Sequence, residues 1–132
     1  MTGADFAGRA EALAGVRFRL HGRDPAHGLD CVGLVACALD GAEAPAGYAL
    51  RNSSIVHHLG FSKAAGFVAA RGPALRGDLV LAVPGPAQHH LLVALGGDRF
   101  VHAHAGLGRV VIQPGPLAWP MAAHWRLHNE GD

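Results

Sequence analysis

Apolar positions change their period part-way along this chain. From about Gly3 to Ala14, Ala7, Leu13 and their neighbours recur at helical spacing, and Thr2 is placed to cap the first turn. Residues 15–29 (GVRFRLHGRDPAHGL) interrupt the pattern with Gly, His, Arg and a proline, and read as a loop. A second helix is expected to begin at Asp30, run through CVGLVACAL and stop at Gly41, which tolerates the left-handed conformation on which helices end. AEAPAG at 42–47 reads as a linker. Ser53 or Ser54 then caps a third short helix through IVHHL to Gly60.

From about residue 77 the texture becomes that of strands. GDLVLAV, HHLLVALG, RFVHAH and GRVVIQP are β-like runs punctuated by PGP, GGD and AGLG, and HWRLHN makes a fifth. Helices first and a meander of short strands afterwards predict an α+β domain. Its N-terminal helices pack on a C-terminal antiparallel sheet of about five strands. Neither a repeat nor a domain boundary is visible, so residues 1–132 are expected to form one domain.

Composition narrows the function. With 11 basic and 10 acidic residues the net charge is +1, and no basic stripe supports nucleic-acid binding. No run approaches the roughly 18 apolar residues of a membrane span. The first residues, MTGADFAGRAEALAG, lack the apolar stretch of a secretory signal, so a cytoplasmic or phage-particle setting in a bacterium is expected. On one helix Cys31 and Cys37 would stand roughly 9 Å apart along the axis, too far for a disulfide. There is no CxxC pair for zinc or redox chemistry.

Of the two cysteines, Cys31 follows Asp30, a natural N-cap, so its sulfur falls in the first helical turn. There the positive end of the helix dipole favours a thiolate and a backbone N–H can help hold an oxyanion. Cys37, late in the helix among apolar neighbours, reads as structural. The four histidines at 89, 90, 102 and 104 flank a hairpin whose parity is testable. If Gly96-Gly97-Asp98 form a three-residue turn, His90 lies opposite His104. His90, Leu92, Ala94, Phe100, His102 and His104 then share one face, with Leu91, Val93, Leu95, Val101 and Ala103 on the other. A two-residue turn at Gly97-Asp98 would move His102 to the opposite face from His90. Parity does not separate His102 from His104 as the partner of His90. His89 faces away from the cluster. A zinc site built from Cys31 and these histidines is the metal alternative, supported only by the HxH at 102–104.

Three segments resemble the NlpC-type cell-wall peptidase family. GVRFRLHGRDPAHGLDCVGLV is similar to the family's segment around its nucleophile, RGDLVLA to its GDLV strand, and HLLVALGGDRFVHA to its HVGIYLGNGRFIHA hairpin. They occur in the family's order with similar separations and cover most of the chain. The resemblance implies a papain-like fold with Cys31 as nucleophile, His90 as general base and acid, and His102 as the residue orienting His90. Family spacing is what favours His102 over His104. It further implies hydrolysis, through a thioester, of an amide in peptidoglycan stem peptides, beside D-glutamate and a diamino acid, without cofactor or metal. Phe18 stands where the family has a loop tyrosine, so a hydroxyl near the nucleophile is missing. The loop from Phe18 to Cys31 is about a residue longer, and Val32 replaces the usual Ser or Trp. Phe18, Arg19, Asp30 and His104 are candidate substrate contacts, with Arg23 a further candidate for a substrate carboxylate. Other readings are a cysteine amidase or acyltransferase with a different small amide or ester substrate, or a catalytically silent phage-tail module. Oligomeric state is left open.

Overall fold

A computed structural model describes residues 1–39, 66–86 and 88–128. The expected third helix, with His57 and His58, lies outside the described residues. Helix α1 (Gly3–Glu11) starts as the sequence predicts. The Thr2 side chain accepts from the Asp5 N–H, and the Asp5 carboxylate accepts from the Thr2 N–H, a complete capping box. The helix ends before Ala14, because Leu13 and Ala14 bond back only three residues, to Ala10 and Glu11. That tightening leads to Gly15, whose N–H bonds to Val110 O and ties the loop to the sheet.

Strands β1 (Arg23–Asp24) and β2 (Gly28–Leu29) form a small antiparallel ribbon inside the stretch expected to be plain loop. Helix α2 (Cys31–Ala38) follows at once. It is buried nearly all round, since Val32, Leu34, Val35 and Ala38 have no exposed surface. Gly33 explains how the loop can press so closely: any Cβ there would collide with the Gly22 carbonyl. At the far end Arg9 of α1 donates from Nε to Ala38 O (2.9 Å), placing a cation on the otherwise unsatisfied carbonyls of α2.

The remaining strands are β3 (Phe67–Ala69), β4 (Leu79–Ala82), β5 (His90–Gly96), β6 (Arg99–His104), β7 (Arg109–Pro114) and β8 (Met121–Leu127). They make one antiparallel sheet in the order β3-β8-β4-β5-β6-β7. The architecture is therefore the expected α+β one, with six strands in place of about five. The extra strand, β3, is a three-residue edge with one buried side chain, too short to carry an alternating pattern.

Both faces of the sheet are covered. On one, Leu79, Leu81, Leu91, Val93, Val101, Ala103 and Trp125 pack with Phe6, Val32, Leu34 and Val35 of the helices. On the other, Val80, Ala82, Leu92, Ala94 and Phe100 are covered by Leu117 and Trp119. This double burial is why LVLA and LLVAL are continuous apolar runs.

Candidate active site

Helix α2 begins at a carboxylate held from several sides. Asp30, only 2% exposed, accepts from the Gly33 N–H (2.8 Å) and from Arg23 Nη1 (2.9 Å) at Oδ1, and from the His21 N–H (2.8 Å) at Oδ2. The N-cap expectation is met, and the loop is drawn into the cap. Arg23 thus holds Asp30 through Nη1. Asp30 itself precedes the nucleophile and is held at both oxygens by protein donors.

Cys31 is the next residue, half-buried against the helix-side core. Its thiol lies where β5 and β6 part. Their ladder runs from Gly96/Arg99 to Val93/Val101 and no further. Beyond it the Leu91 N–H meets the sulfur and, with the Val32 N–H and the Arg23 charge, favours the thiolate. Burial and then the Asp30 charge act the other way and win, so the thiol is pushed up to about 11. The helix dipole, expected to favour a thiolate, is thus opposed by burial and by the Asp30 charge. Cys37 takes another path: its thiol donates to Arg23 O at 3.3 Å.

The hairpin turn resolves the parity question in an unexpected way. Gly97 and Asp98, at φ 58° and 60°, form a two-residue turn, yet a bulge between Ala94 and Gly96 absorbs one residue. The register is consequently the one a three-residue turn gives, with Val93 opposite Val101 and Ala94 opposite Phe100. His90 and His102 share a face. His90 Nε2 and His102 Nδ1 are 2.9 Å apart, and His102 Nε2 is 2.8 Å from Gln113 Oε1 on β7. His102 has no exposed surface. Burial lowers its pKa against the raising effect of the Gln113 bond. The Trp119 ring stands edge-on to both imidazoles, its centroid 5.8 Å from that of His90 and 5.6 Å from that of His102.

Geometry also separates His102 from His104. His104 Nδ1 accepts from the Leu107 N–H (3.1 Å), so this ring holds the β6–β7 turn, 5.5 Å from His102 between centroids. Phe18 packs half-buried on the helix-side core, its N–H donating to Gly108 O. Arg19 is exposed, and no carboxylate pairs with it among the described residues. His27 is at the surface beside Asp24 (3.3 Å). No group of three or more His, Cys, Asp or Glu is placed to hold a metal among the described residues, and both ring nitrogens of His102 are already in hydrogen bonds. The zinc alternative has no such cluster to rest on.

Gln113 and Trp119 were missed from sequence. The alternation in GRVVIQP puts Val111 and Gln113 on the histidine face, since Val111 lies opposite His102 and Gln113 opposite Phe100. Continuing the parity argument one strand further would have found Gln113. Trp119 lies in a Pro- and Gly-rich turn segment with no period to read.

The hydrogen-bonded pair of histidines, the cysteine at a helix start and the antiparallel sheet agree with the comparisons to known proteins. Residues 15–119 match the NlpC/P60 family. The chain belongs to the NlpC/P60 family. Similar solved structures include NlpC1 from Trichomonas vaginalis, at 20% identity and TM-score 0.71 over 94% of this chain and 43% of that one. The NlpC/p60 domain of the peptidoglycan hydrolase SagA is 24% identical with TM-score 0.63, over 93% of this chain and 98% of that one. The peptidoglycan hydrolase RipB from Mycobacterium tuberculosis is 26% identical with TM-score 0.59, over 94% and 63%. This chain spans less than half the length of the two T. vaginalis NlpC chains it resembles, covering 47% and 43% of them. No curated protein matches the chain. No helix among the described residues is long and apolar enough to cross a membrane.

Proposed function

We propose that this protein is a cysteine hydrolase that cleaves an amide bond in peptidoglycan stem peptides through a thioester. The observation that carries the reading is the His90–His102–Gln113 hydrogen-bond chain beside the strand end where the Leu91 N–H meets the Cys31 thiol. In this mechanism Cys31 is the nucleophile, His90 the base and acid, and His102 the residue that orients His90. With Nε2 of His90 engaged by His102, Nδ1 takes the thiol proton. Because the thiol is pushed up to about 11, that transfer accompanies attack on the carbonyl instead of preceding it as a resting ion pair. The sulfur–carbon bond forms, and the oxyanion is met by backbone N–H groups at the start of α2. Phe18 leaves these without a phenolic donor. The imidazolium of His90 then protonates the leaving amine as the carbon–nitrogen bond breaks. Water, deprotonated by the same imidazole, hydrolyses the thioester and regenerates the thiol.

SagA and RipB are described as peptidoglycan hydrolases, and the family match extends that chemistry to this chain as a proposal. The bond is taken to be the one between D-γ-glutamate and the diamino acid. Arg19 and His104, at the rim, are the proposed substrate contacts, Arg19 toward a stem-peptide carboxylate. Asp30 is assigned to positioning α2, and Phe18 to packing beside the nucleophile.

Digestion of purified muropeptides by the protein and by Cys31→Ala, read by mass spectrometry, tests this. Cleavage that disappears in Cys31→Ala is expected, a loss of roughly 10⁴-fold or more. Equal products from both proteins, or none from several stem peptides, would sink the peptidoglycan reading.

A further inference from the structure

A base can take a proton only through a ring nitrogen that bears a lone pair, and neutral histidine has one such nitrogen. Which nitrogen it is in His90 is decided two residues away along the hydrogen-bond chain. Gln113 presents Oε1 to His102 Nε2 at 2.8 Å, and an amide oxygen only accepts. His102 Nε2 therefore carries a hydrogen. His102 has no exposed surface, and burial disfavours its charged form. A neutral His102 with hydrogen on Nε2 has its lone pair on Nδ1, 2.9 Å from His90 Nε2. His90 Nε2 must then donate, and its own lone pair falls on Nδ1. Had Gln113 presented its NH₂ instead, every proton in the chain would reverse and His90 Nδ1 would carry hydrogen.

We infer that Gln113 is a positioning residue that sets the tautomer of His90 through His102. The inference rests on the proposed role of His90 as base and deepens it: β7 supplies a fourth member of the constellation, which acts without touching substrate. Two features keep the amide in this role. Gln113 lies on the histidine face of a strand whose register with β6 is unbroken from Arg99/Pro114 to His104/Arg109. Trp119 packs edge-on against both imidazoles and holds the His102 ring toward the amide oxygen.

Two substitutions of similar length separate tautomer control from packing. Gln113→Glu, ionised at neutral pH, keeps an acceptor, whereas Gln113→Met removes it. Nitrogen-15 NMR of histidine-labelled free protein above pH 7 reads the tautomers directly and needs no substrate. In the native protein and Gln113→Glu, His90 is expected with a hydrogen-free Nδ1 and a protonated Nε2. In Gln113→Met the two tautomers mix. Muropeptide hydrolysis in Gln113→Met should fall about 10- to 100-fold in kcat with KM nearly unchanged, the range typical of partners that orient a functional imidazole. Gln113→Glu should retain kcat, with its acid limb moved to higher pH because a carboxylate favours protonated His102. A hydrogen on His90 Nδ1 in the native protein overturns the inference. So does a Gln113→Met protein with native tautomers. If Gln113→Met does not fold, the native and Gln113→Glu spectra still decide. If no muropeptide is cleaved, the spectra test Gln113 while the failed digestion counts against the proposed function alone.

Discussion

On the β4–β8 side of the sheet, Asp78 has no exposed surface, and Arg126 donates to both its oxygens, from Nε and Nη2, at 2.9 Å each. The Leu75 N–H adds a third bond, at 2.9 Å. On the β5–β7 side His102 is as deeply buried, but its partners are the neutral groups of His90 and Gln113. The first arrangement is a charge clamp with the acceptors filled. It fixes β4 to β8, and taking away either partner would leave the other's charge uncompensated. The second holds no ion pair, so one ring at its end can gain and lose a proton without breaking a charge pair, while the Gln113 oxygen keeps the lone pair in place. The same sheet therefore holds one polar device for rigidity and one for chemistry, told apart by whether the members are ion-paired and not by burial.

The largest expected contrast comes from removing one member of each. His90→Ala should lower muropeptide hydrolysis about 10⁴-fold, while its unfolding free energy stays within about 1 kcal/mol of native, since His90 is only half-buried. Denaturant melts and steady-state rates on one preparation check both halves. Should His90→Ala unfold readily, the histidine chain would be structural and the comparison would fail.

Arg126→Met probes the other side and is expected to act in reverse. It leaves Asp78 buried without its bidentate donor, costing about 1.5–3 kcal/mol of stability because Arg126 itself is 40% exposed. The rate per folded molecule should be unchanged, because Arg126 touches neither Cys31 nor the histidine chain. Urea denaturation gives the first quantity and active-site titration of Cys31 normalises the second. A stability loss under about 1 kcal/mol would show that water enters to solvate Asp78, so the clamp is less closed than its burial implies.

Sequence patterning made these two devices legible to different degrees. The face shared by His90 and His102 follows from strand parity, because any other register would turn Leu91, Val93 and Val101 out of the helix-side core. The cap at Asp30 follows from one residue type before one apolar run. The Asp78–Arg126 pair joins residues 48 positions apart, and nothing local signals it. The bulge beside Gly96 was likewise unreadable, since a two-residue turn plus a bulge leaves the same alternation as a three-residue turn. Double burial of the sheet was partly written in the unbroken LLVAL run, but its cover, Leu117 and Trp119, comes from an aperiodic segment. Most consequential was Cys31. Its place at the helix start was legible, whereas the burial and the Asp30 charge that oppose ionisation depend on how closely loop, helix and sheet converge.

That opposition gives the smallest effect and the sharpest test of the contrast. A thiol in the unfolded chain ionises near 9.0, while the folded Cys31 holds its proton to about 11. Its folded pKa is raised, so the stability linked to the neutral thiol is fully present below pH 9 and is lost as pH rises toward 11. Against Cys31→Ser, which lacks this titration, the native protein should lose stability progressively across that window. Other groups titrate in both proteins and cancel in the difference. Alkylation by iodoacetamide reads the same property kinetically. The Cys31 rate should keep climbing to about pH 11, with no plateau near neutrality. A plateau below pH 8 would mean a thiolate–imidazolium pair already present at rest. The active site would then be a second charge clamp, held together as Asp78 and Arg126 are, and the distinction between the two sides of the sheet would disappear.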